Sequence, residues 1–245
     1  MKDEITRRTF VKNSAVAGLA MTMAPAVLSG KDDRRVRLGF IGVGGRGTGL
    51  LERAVTFPEV DIPSICDITE NNLNHGLSVV EESGRKRPEG YGENEESYLD
   101  MVSRDDLDGV IIATPWEWHI PMAIDSMKAG KYTAHEVGPA STVQECWDLI
   151  KTHEETGVRC MFLENTCYRR FSMAILNMVR QGLFGELIHC QCGYQHDLQK
   201  RLVMGKTTGV IYEGGGDYRT WHHRTRNGDL YPTHGIGPIA NCLDI

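Results

Sequence analysis

The sequence has no dense basic segment, no apolar run long enough to cross a membrane, and no imbalance of composition that would keep the chain unfolded. Its 27 Lys and Arg residues are outnumbered by 33 Asp and Glu residues, and the net charge of -6 argues against a nucleic-acid-binding surface. Hydrophobic residues make up 40% and charged residues 24% of the 245 residues, as in folded globular proteins. The chain is long enough for one large domain or two smaller ones, and a small-molecule partner is favoured.

The N-terminal segment lacks both the length of a transmembrane helix and a cysteine for a lipid anchor. Arg7 and Arg8 precede the run SAVAGLAMTMAPAVLSG, which is too short and too rich in small residues to be a good membrane span. This pattern predicts a twin-arginine signal peptide over residues 1–30, cleavage near Ala24–Ala26, and export to the periplasm or beyond. The alternative is an amphipathic N-terminal helix.

The seven cysteines do not form an evident disulfide framework, because their number is odd and most of them lie in apolar runs. We therefore expect free, buried thiols. Cys190 and Cys192, with His189 and His196 nearby, are a conceivable metal cluster, but no second pair of ligands has the spacing of a zinc site. The sequence thus predicts no metal centre.

A glycine-rich turn between an apolar segment and a helical segment is the first motif with a chemical meaning. In VRLGFIGVGGRGTGLLERAV, β-branched and aromatic residues lead into Gly42, Gly44, Gly45, Arg46 and Gly47, and helix-compatible residues follow. The glycines permit a tight turn, the approach of a pyrophosphate to backbone amides, and close packing of helix on strand. Unpaired N–H groups at the start of the helix favour phosphate, so the motif predicts dinucleotide binding.

Asp67 ends the next strand-like segment, VDIPSICD, about twenty residues beyond the turn. An acidic side chain at this position accepts hydrogen bonds from the adenosine ribose hydroxyls. Ile68 and Thr69 follow it, so no arginine is present there to neutralise a 2′-phosphate. The sequence therefore predicts NAD rather than NADP as the cofactor.

Strands and helices continue to alternate as far as Glu136, which predicts a parallel sheet with right-handed crossovers. The exception is segment 83–97, which has no apolar period and predicts an exposed loop. Because ligands bind beyond the carboxyl ends of parallel strands, the residues that follow the later strands are candidate cofactor contacts. Packing between loop and helix is the alternative for the tryptophan in this set, and helix capping is the alternative for the histidine. The candidates are Thr114, Pro115, Trp116, His119 and Glu136.

These motifs resemble the N-terminal domain of the Gfo/Idh/MocA oxidoreductases. The resemblance rests on GFIGVGGRG, the aspartate of ICD, ATPWEWH and KAGKYTAHE. Further segments resemble the NAD-dependent members classed as glycoside hydrolase family 109, known for α-N-acetylgalactosaminidase activity. These segments are ECWDLI, LENTCYRR, ILNMVRQGLFGELIHC and NGDLYPTHGIGPIANCLDI, of which the YPTHG region is the most specific.

The resemblance implies an α/β fold in two domains. A Rossmann domain with a parallel sheet is expected over residues 31–160, followed by an α/β domain with an open, mostly antiparallel sheet over residues 161–245. Family members continue beyond the position of Ile245, so the second domain is expected to be incomplete in a C-terminally truncated chain. Relatives pair through the sheet of this domain, which implies a homo-oligomer for a full-length protein.

The resemblance also implies a redox route to glycoside hydrolysis, because NAD-dependent glycosidases are an exception to the two-carboxylate mechanism. Hydride leaves C3 of the sugar for the cofactor, a base removes the acidified C2 proton, the C1 leaving group departs, water adds, and the hydride returns. Tyr231 and His234 are the catalytic candidates, because both exchange protons and their spacing across a proline suits one side of a turn. Packing of the tyrosine beneath the loop and helix capping by the histidine are the alternatives. Tyr168 and Arg219 match substrate-binding positions of the family.

The turn EVGPAST departs from the Glu-Lys-Pro turn of related sugar dehydrogenases, because Val137 and Gly138 precede Pro139 and the lysine is absent. The aspartate that dehydrogenases carry four residues before the site histidine is Leu230 here. Both departures argue against a plain NAD(P)-dependent sugar oxidoreductase that releases an oxidised product. That activity is the alternative function, and an inactive nucleotide-binding fragment is a third hypothesis.

Overall fold

The computed structural model describes residues 35–138, 140–195, 197, 212–213 and 216–245. The predicted signal peptide, Pro139 of the EVGPAST turn and His196 lie outside these residues. The strands are β1 (Val36–Ile41), β2 (Val60–Cys66), β3 (Glu89–Tyr91), β4 (Gly109–Ile112), β5 (Tyr132–His135) and β6 (Cys160–Phe162). The helices are α1 (Gly45–Ala54), α2 (Glu70–Glu82), α3 (Ser97–Val102), α4 (His119–Lys128), α5 (Val143–Thr156), α6 (Arg170–Arg180), α7 (Tyr218–Thr225) and α8 (Pro232–Leu243).

The six strands form one parallel sheet in the order β3-β2-β1-β4-β5-β6. The chain moves outward from β1 through β2 to β3 and then returns to place β4 on the other side of β1. The point between β1 and β4 is therefore the switch point at which such sheets bind ligands. This arrangement confirms the predicted α/β fold with a Rossmann parallel sheet.

Two apolar layers cover the sheet, because neighbouring side chains of a strand point to opposite faces. Phe40 packs with Leu51, Ile65 and Leu77 on the face covered by α1 and α2. Ile41, the next residue of β1, belongs to the other layer, whose members also include Met101, Ile112 and Met122. Burial on both faces explains the nearly continuous apolar sequence of β1 and β4.

The structure differs from the sequence-based expectation at the two ends of the sheet. Within segment 83–97, predicted as an exposed loop, Glu89–Tyr91 forms the edge strand β3, because backbone pairing with β2 needs no apolar period on an exposed edge. At the other edge, β6 extends the parallel sheet two residues past the predicted domain boundary at residue 160. In the described part of the chain no strand follows Phe162, so the antiparallel sheet expected for the second domain is not seen there.

All seven cysteines are free, as predicted. The prediction that they are buried is wrong for most of them, since only Cys66 and Cys167 are buried whereas Cys146 and Cys192 are exposed. Cys146 is exposed because it lies on α5, a helix with most of one face exposed to solvent; its neighbour Trp147 is 59% exposed. In the part of the chain that the structure describes, no helix combines the length and the apolar character needed to span a bilayer.

Candidate functional site

The turn after β1 brings the predicted phosphate-binding glycines to the start of α1. Gly42 has a φ of +81°, and a Cβ there would lie 2.9 Å from the backbone of Ala113. A Cβ on Gly47 would lie 1.9 Å from the carbonyl oxygen of Gly42, so α1 packs on the turn only because this residue is glycine. Around Gly45 no described atom lies within 4 Å of an added Cβ, so the start of α1, where the first amides have no partner within the helix, is open. The turn therefore fits a pyrophosphate.

A cavity of about 370 Å³ opens beside this turn, beyond the carboxyl ends of β1, β2 and β4. Asp67 lies in its wall, where Oδ2 accepts a hydrogen bond from the Val43 amide and Oδ1 accepts one from the Thr69 amide, both at 2.8 Å. Burial raises the pKa of Asp67, and these backbone bonds oppose the rise. The predicted cofactor residues that line the cavity are Gly42, Gly44, Gly45, Arg46, Asp67, Thr114 and Pro115.

The buried Thr114 hydroxyl has no hydrogen-bond partner among the described residues, although a buried polar group normally has one. Because Thr114 lines the cavity, a bound dinucleotide is a suitable source of that partner. Sequence reasoning missed several polar lining residues, among them Asn72, Glu117, Tyr212 and Tyr218. No local pattern identifies the two tyrosines, which reach the cavity only through the tertiary fold.

Glu136, at the end of β5, contacts the glycine turn through an ion pair. Its Oε1 lies 2.7 Å from both Nε and Nη2 of Arg46, and the glutamate is 6% exposed. The carboxylate does not line the cavity itself. It holds the cation of Arg46, a residue that does line the cavity.

The turn after β5 is closed by Trp116. Gly138 has a φ of +86°, and a Cβ at this position would lie 2.4 Å from Cδ1 of the Trp116 indole. Val137 is buried beside it and offers no group that exchanges protons. The indole thus fills the space beside Gly138, and neither Val137 nor Gly138 supplies an acid or a base to the site.

His119, at the start of α4, is buried and joins the loops that follow β4 and β5. Its Nε2 lies 2.8 Å from the carbonyl oxygen of Thr114, and its Nδ1 lies 3.1 Å from that of Gly138. Burial lowers the pKa of His119 from 6.5 to about 4, and neighbouring His135 contributes to the decrease. The neutral ring has one N–H and can donate to only one carbonyl, whereas a protonated ring would bury a charge. His119 therefore positions two loops rather than lining the cavity.

Acidification is expected to destabilise the fold through His119. Because its pKa is lower in the folded than in the unfolded chain, the unfolded state binds more protons between pH 6.5 and 4. The stabilisation is complete above pH 6.5 and falls by about 3 kcal/mol as the pH drops to 4. Burial lowers the pKa of His135 as well, so it acts in the same direction. Denaturant unfolding at both ends of this window should show a weaker pH dependence for His119→Asn than for wild type; equal slopes would contradict the assignment.

Trp116 also forms one wall of an aromatic cage, which we define as Trp116, Tyr218, Arg219 and Tyr231. The indole centroid lies 5.2 Å from each tyrosine ring in an edge-to-face arrangement. The guanidinium carbon of Arg219 lies 5.5 Å from the indole centroid and 5.4 Å from each tyrosine centroid. Tyr218 also lines the cavity, so the cage connects the cavity to Tyr231.

The predicted catalytic residues lie together at the start of α8. The rings of Tyr231 and His234 stack with centroids 5.2 Å apart, and Tyr194 packs edge-on against His234 at 4.5 Å. Nδ1 of His234 lies 2.7 Å and 2.9 Å from the two carboxylate oxygens of Glu164. Burial raises the pKa of Tyr231 to about 12, although the Arg219 cation opposes the rise. Sequence reasoning missed both Glu164 and Tyr194, because neither belongs to a local motif with the histidine.

The two predicted substrate-binding residues have different surroundings. Arg219 belongs to the aromatic cage and contacts Tyr231. Tyr168 ends a 3-10 turn and is 69% exposed. Among the described residues no ring contact joins Tyr168 to Tyr231 or His234.

Helix α7 is held against the cavity by Glu117. Its Oε2 lies 2.9 Å from Nε2 of fully buried His222, and its Oε1 accepts a hydrogen bond from the Tyr212 hydroxyl. Burial by itself would raise the pKa of Glu117, but the bonds from His222 and Tyr212 outweigh it and lower the pKa. The carboxylate is thus charged and fixes the helix that carries Tyr218 and Arg219.

A parallel sheet with a glycine turn, a terminal aspartate and a cavity at its switch point defines a dinucleotide-binding Rossmann protein. Residues 36–163, just over half of the chain, match the family model described as oxidoreductase family, NAD-binding Rossmann fold. Residues 168–245 match the model described as glycosyl hydrolase 109, C-terminal domain. The chain therefore belongs to the Gfo/Idh/MocA family of NAD-binding oxidoreductases, in the group with a glycosyl hydrolase 109 C-terminal domain. The family and the cofactor predicted from the sequence are confirmed.

Similar curated proteins are glycosyl hydrolases. An α-N-acetylgalactosaminidase of Tannerella forsythia is 42% identical over 99% of this chain, and one of Shewanella oneidensis is 41% identical over 98%. A glycosyl hydrolase family 109 protein of Parabacteroides distasonis is 41% identical over 99%. The chain spans 58%, 53% and 58% of the lengths of these relatives, respectively.

Similar solved structures are sugar and polyol dehydrogenases. Apo scyllo-inositol dehydrogenase from Lactobacillus casei has a TM-score of 0.55 at 17% identity and covers 62% of this chain and 44% of its own. The WlbA dehydrogenase from Bordetella pertussis, solved with NADH and UDP-GlcNAcA, has a TM-score of 0.54 at 22% identity and covers 63% of this chain and 42% of its own. At these identities the likeness shows the fold.

Proposed function

We propose that this protein is an NAD-dependent glycosidase that acts on α-N-acetylgalactosaminides by transient C3 oxidation, elimination, addition of water and re-reduction. The observation that carries the proposal is the position of the catalytic candidates. Tyr231 and His234 are stacked at 5.2 Å, and a single aromatic ring, that of Trp116, separates Tyr231 from cavity-lining Tyr218. Tyr231 is thus separated from the wall of the proposed cofactor cavity by one ring, and His234 stacks on Tyr231.

Bound NAD would supply a reversible acceptor for hydride. The side chains of the chain supply the proton transfers and the binding contacts. Tyr231, with a pKa of about 12, keeps its proton at neutral pH and can donate it to a sugar oxygen. The Arg219 cation, 5.4 Å from that ring, stabilises the phenolate that such a transfer would leave. His234 is the group that can accept a proton from the substrate.

The turn after β5 favours this reaction over a plain dehydrogenase reaction. The position beside the Trp116 indole is a glycine with positive φ, and buried Val137 precedes it. Neither residue can exchange a proton with a hydroxyl group during hydride transfer. Proton transfer is therefore assigned to Tyr231 and His234 at the start of α8.

The test is an assay of the NAD-loaded chain with an aryl α-N-acetylgalactosaminide in deuterated water. We expect cleavage, deuterium at C2 of the released sugar and no net accumulation of NADH. Cleavage without deuterium would overturn the elimination route. Net NADH formation with an oxidised sugar would instead identify a dehydrogenase, and absence of both reactions would support a nucleotide-binding protein without activity.

Two further proposals concern features outside the described site. We propose export by the twin-arginine pathway, which would be contradicted if a variant with Lys at positions 7 and 8 reached the periplasm as wild type does.

Self-association of a full-length protein through the sheet of the second domain is also proposed. Light scattering that showed only monomers would contradict it.

A further inference from the structure

The Glu164 carboxylate is held in one orientation by its own local structure. It follows β6 by two residues and is 5% exposed. Its Oε1 accepts hydrogen bonds from the backbone amide of Thr166 at 2.9 Å and from the Thr166 hydroxyl at 2.5 Å. The same hydroxyl lies 2.9 Å from the carbonyl oxygen of His234, so Thr166 joins the carboxylate to the backbone of α8. A Cβ on Gly237 would come within 3.0 Å of Cγ of Glu164, and α8 therefore packs directly on this side chain.

The contact between Glu164 and His234 determines which nitrogen of the imidazole carries the proton. Both carboxylate oxygens lie within 2.9 Å of Nδ1. An ionised carboxylate can only accept hydrogen bonds, so Nδ1 must donate, and in the neutral ring Nε2 is left with a free lone pair. Among the described residues, the imidazole of His234 hydrogen-bonds only to Glu164, and it does so through Nδ1.

The surroundings of the ring suit a proton acceptor rather than a buried structural ion pair. His234 lines a cavity of about 490 Å³ together with Tyr194, so part of the ring reaches open space. The rings of Tyr194 and Tyr231 fix its plane from two sides. A carboxylate on one nitrogen and a cavity beside the ring are the two features of an oriented general base.

We propose that Glu164 is the positioning residue that holds His234 with its proton on Nδ1 and leaves Nε2 to take a proton from the substrate. The inference rests on the proposed function, because it assigns the orientation of a base in that reaction. One proton moves from the substrate to Nε2, and Glu164 accepts none. Its negative charge stabilises the imidazolium that forms, and the proton leaves Nε2 again when the ring returns to the neutral state.

The experiment combines nitrogen-15 NMR of labelled histidine with steady-state kinetics on the NAD-loaded chain. The His234 signal is assigned by its loss in His234→Ala. We expect the proton on Nδ1 in wild type and a mixture of the two neutral forms in Glu164→Ala. We expect Glu164→Gln, which can still accept from Nδ1 but has no charge, to lower kcat by about 100-fold with KM nearly unchanged. The acid limb of its pH profile should lie at lower pH, because the imidazolium has lost its counter-charge.

The matched control is Glu145→Gln. Glu145 is also a glutamate that accepts backbone hydrogen bonds; it is half-buried, and its carboxylate is bonded within the capping box of α5 rather than to a candidate residue. We expect its kcat to equal that of wild type. A wild-type His234 with its proton on Nε2, or a Glu164→Gln variant with wild-type kcat, would overturn the inference. If Glu164→Ala does not fold, the position of the proton in wild-type His234 and the kcat of Glu164→Gln still test the role of Glu164. Absence of wild-type turnover would contradict the proposed function, while the tautomer would still decide the role of Glu164.

Discussion

Replacement of His234 by Ala, or of Tyr231 by Phe, is expected to lower turnover of an aryl α-N-acetylgalactosaminide by about 10²- to 10⁴-fold. Each change removes a group that exchanges protons at the start of α8 and leaves the stacked partner in place. Neither side chain lines the cavity at the glycine turn, so bound NAD should stay at the wild-type level. The measurements are kcat and the amount of dinucleotide released on denaturation.

The matched controls for these two variants are His75→Ala and Tyr132→Phe. His75 is exposed on α2, and Tyr132 is 65% exposed on β5. Both controls should retain wild-type turnover. If Tyr231→Phe or His234→Ala also kept the wild-type rate, the wrong residues would have been assigned. A loss of activity accompanied by a loss of bound NAD would indicate a disturbed fold rather than a missing proton carrier.

Gly47→Ala is expected to destabilise the Rossmann domain by about 3 kcal/mol or more and to abolish NAD binding. The new methyl group would lie 1.9 Å from the carbonyl oxygen of Gly42 and 2.8 Å from its carbonyl carbon. Both atoms are backbone, so relief requires α1 to move away from the turn. Because the first amides of α1 are the predicted phosphate site, this movement should remove cofactor affinity together with stability. Thermal unfolding and NAD titration measure the two effects.

The same helix supplies two controls for Gly47→Ala. Gly49 is exposed within α1, and an added Cβ meets no described atom within 4 Å, so Gly49→Ala should raise stability by about 0.5–1 kcal/mol. Gly45 is equally open but lies at the phosphate-facing start of α1. Gly45→Ala should therefore fold normally and bind NAD more weakly. Wild-type stability and affinity in Gly47→Ala would show that the turn can widen without cost.

The parts of the site that could be predicted from the sequence are those that depend on local backbone geometry. The glycine turn is an example. Gly42 is required by its positive φ, and Gly47 is required because α1 passes close to the carbonyl of Gly42, only five residues earlier in the chain. Asp67 could be predicted for a similar reason, since the end of a parallel strand fixes where its side chain lies. In the structure Gly42 and Asp67 line the cavity, and Gly47 packs against the turn.

Other features could not be predicted, because they depend on contacts between distant segments. Glu164 and His234 are 70 residues apart, and their hydrogen bond exists only because α8 packs on the loop after β6. The edge strand β3 has three residues and no apolar period, so only its pairing with β2 identifies it. Glu117 and His222 are 105 residues apart, and no spacing in the sequence connects them.

The sequence by itself determined that this protein has a Rossmann sheet and an NAD site, because strand and helix periods and a glycine turn are local properties of the chain. Tyr231 and His234 became catalytic candidates through the resemblance of their segment to a known family. The tertiary structure decided how those candidates can work. It placed the Trp116 indole beside Gly138, where no side chain fits, and it set Glu164 against Nδ1 of His234. Side-chain packing and hydrogen bonding between residues far apart in the sequence determine these positions, so local sequence patterns do not predict them.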